Sequence, residues 1–213
     1  MQRDELIRRF AELWWAEKQT TVFRNRYPGV PTLQHPFDAW ATQEIIAEVR
    51  PDLIVECGTF CGGSAVMWSM LLEQIHPAGR VLTIDVEDHT ELARQLPAFG
   101  RVDHLVGSST DPAIIAEVHS RAAGKRTLAI LDSDHTKAHV LAELHSYAPI
   151  VSPGSYLIVQ DGVVNGHPVD PTYGPGPFEA VADFLETHDE FEVDAGRERM
   201  LLTFNPGGYL RRV

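Results

Sequence analysis

The chain has 213 residues, 44% hydrophobic and 23% charged, the proportions of an ordinary globular protein rather than a disordered one. A total of 18 Lys and Arg against 30 Asp and Glu leaves a net charge of −12. That balance excludes a nucleic-acid partner and an anionic membrane surface, since both need a basic face. The two cysteines, Cys57 and Cys61, are too close to staple a fold and lack the second pair of a zinc site. They read as reduced packing residues of a cytoplasmic protein.

The first ten residues, MQRDELIRRF, mix acidic and basic groups and do not read as a secretory signal. No window approaches the roughly 18 uninterrupted apolar residues of a membrane span. Leu6, Ile7, Phe10, Leu13 and Trp14 share one helical face, which predicts a helix over 4–17. A Pro/Gly loop at 27–31 leads to a second helix at 38–50, stopped by Pro51.

From there, β-rich apolar runs at 53–57, 81–86, 102–106, 127–132 and 155–160 alternate with helical stretches at 64–75, 89–96, 111–121 and 136–148. The recurrence every 20–30 residues or so suits βαβ crossovers, and the lack of alternation suits a parallel sheet covered on both faces. A Gly/Pro-rich loop at 165–177 and a helix near 178–187 follow. Two runs at 191–193 and 200–204 are too close for a crossover and predict an antiparallel hairpin at the sheet edge. The expectation is one doubly wound α/β domain, mostly parallel, with N-terminal helices in 1–50 and a core in 51–213. A helix carrying Trp14 and Trp15 side by side invites a partner surface, so a homo-oligomer is expected.

Ligands of such sheets lie beyond the carboxyl ends of the strands. The first run carries Glu56 near its end and continues through Gly58, Thr59, Gly62, Gly63 and Ser64, a G-x-x-x-G-G turn and not the G-x-G-x-x-G of pyrophosphate binders. Glu56 would repel a pyrophosphate and suits a ligand with a positive centre, although an ordinary βα turn explains the glycines as well. The second run ends at Asp85, placed for a ribose hydroxyl pair. The third ends at Ser108 and Ser109, which fit a nucleoside or, equally, the cap of the next helix. Together they describe an adenosine with a cationic substituent, as in S-adenosylmethionine, and not NAD.

The fourth and fifth runs end in Asp132 and in Gln160-Asp161. If these strands are neighbours, two carboxylates and an amide oxygen form a hard shell for Mg²⁺ or another divalent cation. Asp132 would then border both the ion and the cofactor. His135, three residues later, is placed to take a proton from a hydroxyl on that ion. Trp14, Trp15, Trp40, His167 and Tyr173 are candidates for an acceptor pocket, and the 165–177 loop for its lid.

The stretches PDLIVECGTFCGGSA (51–65), LDSDH (131–135), APIVSPGSYLIVQD (148–161) and NPGGYLRR (205–212) resemble the rhamnosyl O-methyltransferase/cephalosporin hydroxylase group. The resemblance runs from about Gln34 to the C-terminus. It implies a Rossmann-like class I methyltransferase fold, S-adenosylmethionine as donor, and a divalent metal at Asp132, Gln160 and Asp161. It also implies a small hydroxylated acceptor, mostly a sugar of a natural product, glycolipid or nucleotide sugar. Related metal-dependent enzymes place their proton acceptor where this chain has His135. Position 160 is usually acidic in the group, and a neutral Gln160 takes one negative charge from the shell. No two-His–one-carboxylate iron site supports a hydroxylase. A nucleotide-dependent oxidoreductase and a non-catalytic cofactor-binding protein remain as competing readings.

Overall fold

A computed structural model describes residues 2–213. The first helix, α1, spans Arg3–Ala16 and packs inward through Ala11, Trp14 and Trp15. Leu6, Phe10 and Leu13 of the expected face are instead 54%, 43% and 57% exposed. The expected loop at 27–31 is a two-stranded hairpin, β1 Arg26–Tyr27 with β2 Val30–Pro31. Helix α2, Pro36–Val49, has proline at its start, where a missing N–H is not felt, and ends with Arg50 in a left-handed conformation before Pro51. Its buried stripe runs Asp38, Ala41, Thr42, Ile45, Ile46 and Val49.

The remaining strands are β3 Leu53–Cys57, β4 Arg80–Asp85, β5 Val102–Val106, β6 Thr127–Leu131, β7 Tyr156–Val159, β8 Phe191–Val193 and β9 Tyr209–Arg212. They form one sheet in the order β5-β4-β3-β6-β7-β9-β8, parallel except for the β7/β9 and β8/β9 pairs. Helices α3 Gly63–Ile75, α4 Pro112–Ala122, α5 Lys137–Tyr147 and α6 Pro177–Leu185 cover it. Alternate strand residues feed opposite cores, as a period of two requires. Ile54, Leu128, Ile130 and Ile158 pack with Ile45, Ile46, Trp68 and Leu72 of α2 and α3. Val55, Ala129, Leu131 and Leu157 pack with Val118, Leu144, Tyr147 and Phe184 of α4 to α6. Each such fully buried aliphatic side chain contributes about 1.5–3 kcal/mol. This is the doubly wound, Rossmann-like architecture expected, and its strand order reverses between β3 and β6, where a crevice opens.

Two expected elements differ. Residues 89–96 make no α-helix but short 3₁₀ turns, Ala93–Gln95 and Pro97–Arg101. Asp88 draws in the Thr90 N–H, its hydroxyl and Arg94, and Pro97 forbids continuation. The antiparallel end is present, but its second strand is Tyr209–Arg212, not 200–204. Leu202 and Phe204 owe their apolar character to a third cluster with Val163, Val164 and Val169. Among the described residues, no helix is long and apolar enough to cross a membrane.

Candidate active site

The turn after β3 is shaped by close approach. Gly58 has φ +97°, and a Cβ there would lie 1.8 Å from the Asp132 carbonyl oxygen on the neighbouring strand. Only glycine lets β3 and β6 end side by side, with the Asp132 N–H donating to the Cys57 carbonyl at 2.8 Å. A Cβ on Gly63 would strike the Thr32 hydroxyl at 1.9 Å, so the segment before α2 sits directly on this turn.

Asp85, at the tip of β4, accepts from the N–H groups of Thr59 (2.9 Å) and Phe60 (2.7 Å) through one oxygen. Its other oxygen accepts from the Glu87 N–H at 3.5 Å, and Asp85 lines a cavity of about 590 Å³ together with Gly58, Phe60, Ser108, Ser109, Ser133 and His139. Ser109 meets His139 at 3.1 Å, and Ser108 meets Thr110 at 2.9 Å. Glu56 is 1% exposed and lies beneath the turn, outside this lining. It accepts from Trp68 Nε1 (3.1 Å) and the Thr83 hydroxyl (2.7 Å), with Ser64 beside it. Burial pushes its carboxyl up to about 7.

A second cavity, about 240 Å³, shares Gly58 and Phe60 with the first. Gln34, Thr59, Ser64, Asp132, His135 and Asp161 are its main polar residues, with Gly63 beside them. Trp15, Val22, Phe23, Leu33 and Phe204 form its apolar part, and no Lys or Arg is among its lining residues. Of the aromatic candidates, Trp15 reaches this wall; Trp14, Trp40, His167 and Tyr173 do not. The 165–177 loop is anchored to α6, with Asn165 and His167 both bonded to Glu179.

Strands β6 and β7 are adjacent, and their ends bring Asp132 and Asp161 together. His135 Nε2 stands 3.4 Å from Asp132 Oδ1 and 3.3 Å from Asp161 Oδ2. The donor atoms of the three lie within 4.8 Å of one another. Burial raises the Asp132 carboxyl to about 6 and raises that of Asp161. Burial also opposes charge on His135, but Asp161 and Asp132 override it and lift the imidazole to about 9. This cluster holds more negative charge than its surroundings solvate, which is what attracts a cation.

Gln160 is buried and turned to Gln34. Gln34 Nε2 donates to Gln160 Oε1 (2.9 Å) and Asp132 Oδ2 (3.1 Å), and Gln160 Nε2 donates back to Gln34 Oε1 (3.2 Å). The residues that sequence reasoning missed lie in this surround: Gln34, His35, Asp38, Glu143, Phe204 and Asn205. His35 stacks on Phe204 with centroids 4.6 Å apart, and Glu143 accepts from the Ser133 hydroxyl at 2.7 Å.

Comparison with known proteins agrees with this geometry. Residues 19–213 match the family described as rhamnosyl O-methyltransferase/CmcI. A rhamnosyl O-methyltransferase of Mycobacterium bovis (strain BCG / Pasteur 1173P2) is 40% identical over 194 residues, 89% of this chain and 78% of that protein. One from Mycobacterium leprae (strain TN) is 37% identical over 191 residues, 86% and 81% of the two chains. A solved structure of CmcI with Mg and SAM superposes with a TM-score of 0.66 at 19% identity, over 90% of this chain and 77% of that one, a likeness of fold.

Proposed function

The chain belongs to the rhamnosyl O-methyltransferase/CmcI family, and on that premise we propose that it transfers a methyl group from S-adenosylmethionine to a sugar hydroxyl, assisted by a divalent cation. The observation that carries this reading is the meeting of Asp132, His135 and Asp161 where the two cavities join the switch point of the sheet. The residues fit both absent groups. The larger cavity offers Asp85 and small hydroxyl residues, and no Lys or Arg lines it, which suits a nucleoside without phosphates. The paired carboxylates suit a hard cation. When bound, S-adenosylmethionine supplies an electrophilic methyl group, and the cation, Mg²⁺ for oxygen donors, supplies Lewis acidity toward the acceptor hydroxyl.

The protein's own part is placement. Asp85 takes the ribose hydroxyls, Ser108 and Ser109 border the adenine, and the Gly58–Ser64 turn faces the sulfonium end. Asp132 and Asp161 hold the cation. His135 accepts the hydroxyl proton. It serves as acceptor once neutral, that is, once the charges of Asp132 and Asp161 are taken up by a cation other than its own proton. Trp15, Phe23, Leu33 and Phe204 enclose the rest of the acceptor and keep water from the methyl group. Juxtaposing two bound reactants accounts for much of the rate gain of such a reaction.

Calorimetry and turnover with Asp161→Ala test the assignment. S-adenosylhomocysteine should bind the variant within a few-fold of wild type while methyl transfer to a rhamnoside disappears. Retained transfer would remove Asp161 from the site, and tight binding of NADH in place of S-adenosylhomocysteine would restore the oxidoreductase reading.

A further inference from the structure

We propose that the C-terminal segment 203–209 is a frame that fixes Asp161, with Asn205 and Asp38 as positioning residues. This rests on the reading of Asp161 as a ligand of the cation.

Asp161 follows β7 with φ +56°, a left-handed conformation that costs a non-glycine residue free energy and persists only where neighbours enforce it. Here the enforcing group is identifiable. The Asp161 N–H donates to Asn205 Oδ1 at 3.1 Å. On either side of it the backbone is tied to the same segment, Val159 N–H to the Gly208 carbonyl (2.8 Å) and Val163 N–H to the Phe204 carbonyl (3.0 Å).

Asn205 is itself held. Its Nδ2 donates to the Tyr209 hydroxyl (3.4 Å) and its N–H to Thr203 Oγ1 (2.9 Å). Both hydroxyls donate onward to Asp38 Oδ1, Tyr209 at 2.9 Å and Thr203 at 2.5 Å, while Asp38 Oδ2 accepts the Phe204 N–H at 2.7 Å. Asp38 is 3% exposed and Asn205 1%. Removing one member of such a buried chain leaves its partners unsatisfied, so each member holds the next in a single orientation. The chain ends on the backbone of Asp161. It also gives the NPGGYLRR tail, which the methyl-transfer reading leaves without a role, a function at the site.

The test is Mn²⁺ titration of the full-length protein, read by electron paramagnetic resonance, with S-adenosylhomocysteine affinity as control. Asn205→Leu keeps the shape and removes the acceptor. It should weaken Mn²⁺ binding by about 10- to 100-fold, with S-adenosylhomocysteine binding unchanged. Asn205→Asp keeps an acceptor toward the Asp161 N–H and should restore binding to near wild type. Tyr209→Phe, which cuts the link to Asp38 and preserves the core, should give a smaller loss in the same direction. Wild-type Mn²⁺ affinity in Asn205→Leu, or in Tyr209→Phe if the former does not fold, overturns the proposal. So does an Asn205→Asp protein as weak as Asn205→Leu. If wild type and Asp161→Asn bind Mn²⁺ equally, the reading of Asp161 fails first and the frame loses its purpose with it.

Discussion

Gln160 places a neutral amide beside the two carboxylates of the candidate cation site. Its amide pairs with Gln34 in both directions, so the site carries the carboxylates of Asp132 and Asp161 without a third. Divalent affinity follows ligand charge, and Gln160→Glu should therefore raise affinity for Mg²⁺ by about an order of magnitude in a calorimetric titration. Unchanged affinity would mean that position 160 does not face the ion. At this scale the sequence is most informative where a residue's place follows from its strand. Asp85, Asp132 and Asp161 all stand at or just past strand ends. Gln34 lies 126 residues from Gln160, and no local pattern announces a pair of amides meeting across that separation. Asp38 did leave a signal, an acid in phase with the apolar stripe Ala41, Ile45 and Val49, but such a signal names no partner.

Elements were legible in proportion to how locally they are determined. Strands β3 to β7 follow from short, mostly apolar runs bounded by turn residues, although β5 carries Asp103 and His104 within it. The segment 200–204 is apolar for another reason: Leu202 and Phe204 pack as coil against Val163, Val164 and Val169, while the strand that pairs between β7 and β8, Tyr209–Arg212, carries two arginines. Loop 165–177 is a lid candidate on its Gly/Pro content, yet Glu179 at the start of α6 ties it down, accepting from Gly176 N–H (2.8 Å), Asn165 (2.9 Å) and His167 (2.8 Å). Burial works against the charge of Glu179, but these donors prevail and hold its carboxyl down to about 2, against an ordinary 4.5. A depressed acid stabilises the fold above its unfolded value and loses that contribution as pH falls through the folded one. The stability difference between wild type and Glu179→Gln should therefore be constant above about pH 4.5 and vanish toward pH 2 in denaturant titrations. A difference that persists at pH 2 would show that the tether does not depend on the carboxylate's charge.

For the whole molecule, the net charge of −12 bears on which sugar reaches the site. The cavity proposed for the acceptor has no Lys or Arg in its lining, so beyond His135 and the proposed cation it offers a nucleotide sugar no charge to hold its pyrophosphate. In matched assays a neutral rhamnoside should be methylated and a nucleoside-diphosphate rhamnose should not. Preference for the charged sugar would contradict this view of the cavity. The strongest test of cation-assisted methyl transfer at Asp132, His135 and Asp161 is the initial rate of methylation of a neutral rhamnoside, measured with excess EDTA and again after Mg²⁺ is restored. The rate should fall by about 100-fold or more in EDTA and return with Mg²⁺, in line with the several kcal/mol a Lewis acid contributes. An undiminished rate in EDTA would contradict it.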